Sequence, residues 1–166
     1  MDKLTEMHHL IDQEQIHLEI TCQLPFNING FYLRRPGMHP GIAINRSIVD
    51  DVPLYCVTLA EELGHHFTSH GDFTMLFSTY RDRLAVSKAE EKAQRWATEF
   101  LLPVHGFVTA FEHGCRGLYE TADFLSVTEE FITVSVEYYK RKHGTFTRVS
   151  SGHAIYFEPL GVMKPL

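Results

Sequence analysis

Glu61-Glu62-Leu63-Gly64-His65 follows Val57-Thr58-Leu59-Ala60 and differs by one letter from H-E-x-x-H, the pattern with which a helix holds a hydrolytic zinc ion. Residues four apart on a helix share a face, so side chains at 61 and 65 can grip one metal while the carboxylate at 62 polarises a bound water. Glu61 stands where the first His belongs. A carboxylate oxygen ligates zinc at about 2.0 to 2.2 Å, so the geometry survives while the charge and softness of the site change. A third ligand is available in Glu90, 25 residues beyond His65 on the next helix. The extra negative ligand makes a bound water less acidic and shifts preference from zinc toward harder cations such as manganese.

Each part of this set has a plainer explanation. E-E-x-x-H occurs by chance on solvated helix faces, and an acid in the first turn of a helix is ordinarily explained by capping and the helix dipole. Their combination is more specific than either. His66 lies four residues after Glu62 and offers a shifted pair, but that register leaves Leu63 where the base belongs. His70 and Asp72 are further candidates to bind a metal, although a loop His and Asp are more often surface residues, and His8, His9 and His17 have no ligand spacing. A second electrophile, drawn from Tyr80, His105 or His113, is not assigned by spacing.

The elements that must position these groups follow from periodicity and punctuation. A short polar helix is expected up to about Gln15. Strands are expected at Ile16 to Ile20, Gly30 to Leu33 and Gly41 to Asn45, forming a small antiparallel sheet. Asp50 or Asp51 caps a helix that carries Pro53 in its first turn and runs to about Phe67. Its apolar stripe is Val52, Tyr55, Leu59, Leu63 and Phe67, with Glu61, Glu62 and His65 on the opposite face. A second long helix is expected from Ser87, which opens a capping box with Glu90, to just before Pro103, burying Ala93, Trp96, Ala97, Phe100 and Leu101. Glu90 falls on the edge of that stripe, where an inward carboxylate needs a partner. Helices at Leu118 to Leu125 and from Ser126 to Gly144, then a hairpin of Phe146 to Val149 with His153 to Phe157, complete the chain.

The 166 residues, 44% hydrophobic and 12% aromatic, are enough for one buried core. A formal charge of −6 argues against a protein that holds nucleic acid by neutralising phosphates. Cys22, Cys56 and Cys115 are odd in number and lack C-x-x-C spacing, which fits reduced thiols in the cytoplasm. No apolar leader opens the sequence and no run of about 18 apolar residues occurs, so a soluble cytoplasmic protein without a membrane partner is expected.

With these motifs in place, the chain resembles the ImmA/IrrE family of metallo-endopeptidases. The family's L-A-H-E-L-G-H helix is matched by Leu59-Ala60-Glu61-Glu62-Leu63-Gly64-His65. Its E-x-x-A-x-x-F-A and L-L-x-P motifs are matched by Glu90, Ala93, Trp96, Ala97, Leu101, Leu102 and Pro103. The resemblance implies an α+β, zincin-like metallopeptidase core over residues 1–104, in which a small antiparallel sheet packs on the active-site helix. A helical subdomain over 105–166 ends in the hairpin. It further implies Glu61, His65 and Glu90 as ligands of one divalent metal, zinc or alternatively manganese, and Glu62 as the catalytic base. The E-E-L-G-H-H run and Cys115-Arg116-x-Leu118-Tyr119-Glu120 are similar to a prophage and mobile-element branch. For that branch the resemblance implies site-specific cleavage of a helix-turn-helix repressor or regulator.

A substrate segment is expected to add to the sheet edge near Ile42 to Asn45. The rival expectation is a catalytically silent relative that regulates a repressor by binding without cleavage, and the replaced His is its support. A DNA-binding helix-turn-helix over 118–142 is disfavoured, because Glu129 and Glu130 would face phosphates. Lys140-Arg141-Lys142 reads instead as favourable charge at a helix C-terminus.

Overall fold

The computed structural model describes residues 2–69 and 80–164, with backbone alone over 80–86. The chain divides into two compact units, Met1–Ala97 and Thr98–Leu166.

In the first unit, Asp2 caps helix α1 (Lys3–Gln13) by accepting from the Thr5 N–H at 2.9 Å. This helix is polar only on one side, since Met7 and Ile11 are buried. Strands β1 (His17–Thr21), β2 (Gly30–Leu33) and β3 (Gly41–Asn45) form one sheet in the order β1-β3-β2. The expected antiparallel sheet is corrected to a mixed one: β2 runs antiparallel to β3, but β1 runs parallel to it, pairing Ile20 with Ile44. Residues 22–29 are too long for a tight hairpin, so β2 lies one strand away from β1 and β3 fills the slot between them. The same topology overturns substrate addition at Ile42 to Asn45, because β3 is paired on both sides. Among the described residues the edges are β1 and β2.

Helix α2 (Val52–Thr68) begins where Asp51 accepts from the Leu54 N–H at 3.1 Å, with Pro53 in the first turn. It packs on β2, β3 and α1. Its environment differs from the expected one-sided stripe. Val52 is half exposed, whereas Glu62, His65 and His66 are buried along with Leu59 and Leu63. The helix is enclosed on several sides, so its polar residues also sit in the interior, where they require partners.

Helix α3 (Tyr80–Leu101) starts well before Ser87, which therefore caps nothing and lies within the helix. Glu90 accordingly sits several turns into α3, and its side chain is half exposed rather than inward. Ala93, Ala97 and Leu101 are buried as the periodicity predicts, whereas Trp96 and Phe100 of the same expected stripe are half-buried.

The second unit holds α4 (Gly106–Glu112), α5 (Leu118–Leu125) and α6 (Glu129–His143). Thr128, not Ser126, caps α6 by accepting from the Phe131 N–H at 3.1 Å, because Ser126 is spent ending α5 in a left-handed conformation at φ 54°. Gly144 closes α6 at φ 86°. Beyond it, β4 (Phe146–Arg148), β5 (Ala154–Phe157) and β6 (Leu160–Met163) form an antiparallel meander, which adds one strand to the expected hairpin. Phe107, Tyr139 and Phe157 pack edge-to-face and stacked at its centre, and the Tyr139 hydroxyl donates to the Leu102 carbonyl at 2.7 Å. The three cysteines are unjoined.

Candidate active site

The site is built on a close approach of two backbones. A Cβ placed on Gly64 would lie 2.4 Å from the Ala93 carbonyl oxygen, so only glycine lets α2 meet α3 there. His65 follows Gly64 directly, and Glu90 precedes Ala93 by nearly one turn. Their side chains meet with His65 Nε2 3.4 Å from Glu90 Oε2. Burial by itself would lower the pKa of His65, but its hydrogen bond to Glu90 and the charges of Glu90, Glu62 and Glu61 raise it above the ordinary imidazole value.

Glu62 faces β2. A Cβ on Gly30 would stand 2.6 Å from Glu62 Oε1 and 2.7 Å from Thr58 Cγ2, so the missing side chain at the start of this edge strand makes the space that the carboxyl occupies. Burial pushes the Glu62 carboxyl up to about 7. The nearby His65 lowers it, Glu61 and Glu90 raise it, and the backbone N–H of Tyr32 lowers it. A carboxyl that is near half-protonated at neutral pH can both accept and return a proton.

The four residues expected to form the site therefore share one electrostatic neighbourhood, and within it His65 and Glu90 are in direct contact. Glu61 is half buried, one turn before His65 on α2. Among the described residues, no three His, Cys, Asp or Glu side chains converge closely enough to hold a metal ion. The donors thus fit a divalent metal in chemical type, and in position only as a pair.

His66 is committed elsewhere. Its Nδ1 lies 3.1 Å from the Tyr32 hydroxyl and its Nε2 lies 3.3 Å from Glu14 Oε2, tying α2 to β2 and to the end of α1. The shifted pair of Glu62 with His66 is not formed. Gly30, Gly64, Tyr32 and Glu14 are contributors that sequence reasoning missed; two adjacent histidines on one helix, which must point in different directions, were the available signal. His70, Asp72 and the Tyr80 side chain lie outside the described residues. His105 and His113 belong to the second unit, where His113 Nδ1 bonds the Thr109 carbonyl at 2.8 Å.

A buried glutamate beside an imidazole–carboxylate pair on two touching helices, laid against a small mixed sheet, defines an α+β protein with a zincin-like core. A family profile described as the IrrE N-terminal-like domain, peptidase family M78, matches residues 11–137, and the chain belongs to this ImmA/IrrE family of metallopeptidases. No curated protein matches the chain. Membership implies a peptidase that works on protein with the help of a divalent metal. Among the described residues, no helix is long and apolar enough to cross a membrane.

Proposed function

We propose that this chain is a cytoplasmic, metal-dependent, site-specific endopeptidase that cleaves a helix-turn-helix repressor or regulator of a prophage or other mobile element. The observation that carries this reading is the contact of His65 with Glu90 next to the buried carboxyl of Glu62. Glu61, His65 and Glu90 are the residues that would hold the ion, zinc or alternatively manganese. The bound ion would supply carbonyl polarisation and a more acidic water. Glu62 would act as base through its carboxylate, taking a proton and delivering it to the leaving amine. Because Oε1 of Glu62 lies over Gly30, an extended substrate segment is best served by β2, the edge strand beside it.

A second reading has its own support: the three ligand candidates do not converge, and Glu61 replaces the expected His. A silent family member would bind its repressor without cutting it. Glu62→Gln separates the two. For the peptidase, this substitution leaves repressor binding intact and abolishes cleavage, read as loss of the cut fragments by mass spectrometry. If repression is relieved equally well by wild type and by Glu62→Gln, the peptidase reading fails.

A further inference from the structure

The second unit contains a cavity formed by its own residues. In the ladder, Leu160 stands opposite Phe157 and Val162 opposite Ile155. Phe157 and Ile155 are buried, yet Leu160 and Val162 remain partly open. The reason is that the inner face of β6 looks onto α4 and the α4–α5 connection across a gap. The gap is a cavity of about 140 Å³ lined mainly by Phe107, Phe111, Cys115, Arg116, Leu160 and Val162. An apolar cavity of about that volume holds one benzene-sized group.

Two further features narrow what enters. Arg116 Nη1 donates to the carbonyls of Phe111 at 2.7 Å and Cys115 at 2.9 Å, and the guanidinium lies 4.2 Å over the Phe111 ring. These contacts fix the group and leave the rest of its five donors for another partner. Among the described residues no carboxylate pairs with that guanidinium, since Glu120 accepts from the Arg116 backbone N–H instead. The second feature is β6 itself. Among the described residues it pairs only with β5, and Leu160-Gly161-Val162-Met163 carries no charge or proline within the strand, which is bounded by Pro159 and Lys164.

We propose that this cavity binds the C-terminal residue of an extended apolar peptide, with its side chain in the cavity, its carboxylate on Arg116 and its backbone along β6. The cavity accepts one side chain, and the cation lines that same small space. A chain-terminal residue carries an apolar side chain and a carboxylate on one Cα, which matches that juxtaposition. An internal Asp or Glu next to an inserted apolar residue would point to the opposite face of the strand. The site is formed within the second unit and does not depend on the peptidase reading.

Cys115 lines the cavity and Cys22 is an exposed thiol in the other unit, so the chain carries its own reporter and its own control. The probe is acetyl-Val-Thr-Val-Thr-Val with a free C-terminal carboxylate, compared with the same peptide ending in an amide. The free acid is expected to slow alkylation of Cys115 by N-ethylmaleimide while leaving the Cys22 rate unchanged, and the amide should need about tenfold higher concentration. Arg116→Met removes the guanidinium while keeping an unbranched apolar side chain, and should abolish the difference between acid and amide. Three results overturn the proposal: no protection by the free acid up to about 1 mM, equal protection by acid and amide, or full discrimination retained in Arg116→Met. Protection of Cys115 that grows with protein concentration in the absence of peptide would also overturn it, by assigning the edge to a second copy of the chain.

Discussion

Glu62 shows how one side chain can be costly to the fold and suited to chemistry. Its carboxyl is ordinarily half-ionised near pH 4.5 and is pushed up to about 7 in the folded chain, so the folded state holds its proton more tightly than the unfolded state does. Below the unfolded value both states are protonated and the residue imposes no ionisation penalty. As pH rises from about 4.5 to about 7 the metal-free fold loses stability, and above that range the whole penalty, on the order of 3 kcal/mol, is present. Glu62→Gln removes the ionisable group and leaves a side chain of similar shape. In chelator-treated protein, the variant should therefore be more stable than wild type at pH 8 by roughly that amount, with the difference shrinking toward zero at about pH 4. Urea unfolding at the two pH values measures it. A difference that does not depend on pH would mean that the carboxyl is not held in this buried, proton-retaining state.

At the scale of elements, the site exists because α2 and α3 touch at Gly64 and Ala93. Gly64→Ala puts a methyl group 2.4 Å from a carbonyl oxygen, and neither neighbour is a flexible side chain that could yield. The helices must separate, which should cost about 1 to 3 kcal/mol, and separation pulls His65 from Glu90. Urea unfolding should show the destabilisation, and the histidine NMR signal of residue 65 should lose its dependence on Glu90. Much of this level was readable beforehand. The spans of β2, β3 and α5, the Asp51 cap and the buried Ala93, Ala97 and Leu101 all follow from local periodicity and capping chemistry. Strand order was not readable, because alternation sets which faces are buried and not which strand lies between the other two. The onset of α3 was missed because Ser87 carries a good cap signature inside a helix that had already begun. The burial of α2 on its polar side was missed for a related reason: a stripe shows which face is apolar, while enclosure of the other face depends on neighbours distant in sequence. The helical motif with Glu61, Glu62 and His65 could be found by spacing. Gly30 under Glu62, and Tyr32 and Glu14 on His66, are tertiary meetings that no spacing announces.

For the whole molecule, the open question is whether a pair of facing donors becomes a metal centre. Family membership implies a divalent ion; His65 and Glu90 are in contact, Glu61 stands one turn before His65 on the same helix, and among the described residues no three such donors are close enough to hold an ion. Binding to the folded state alone adds stability equal to RT ln(1 + [L]/Kd), about 2.7 kcal/mol at a hundredfold excess over Kd. If α2 and α3 supply the ligands, zinc should raise the melting temperature of chelator-treated wild type, and both His65→Ala and Glu90→Ala should erase the increase. Mass spectrometry under native conditions should find one equivalent of metal in wild type and none in either variant. The paired substitutions matter because His65 and Glu90 come from different helices: loss in both requires an ion that spans them, whereas loss in His65→Ala alone would indicate a site carried by α2. Metal retained by both variants would place the ion elsewhere in the chain. A wild type that takes up neither zinc nor manganese would leave Glu62 as a buried proton-binding group without a metal-bound water, and would favour the reading in which this chain binds without cutting.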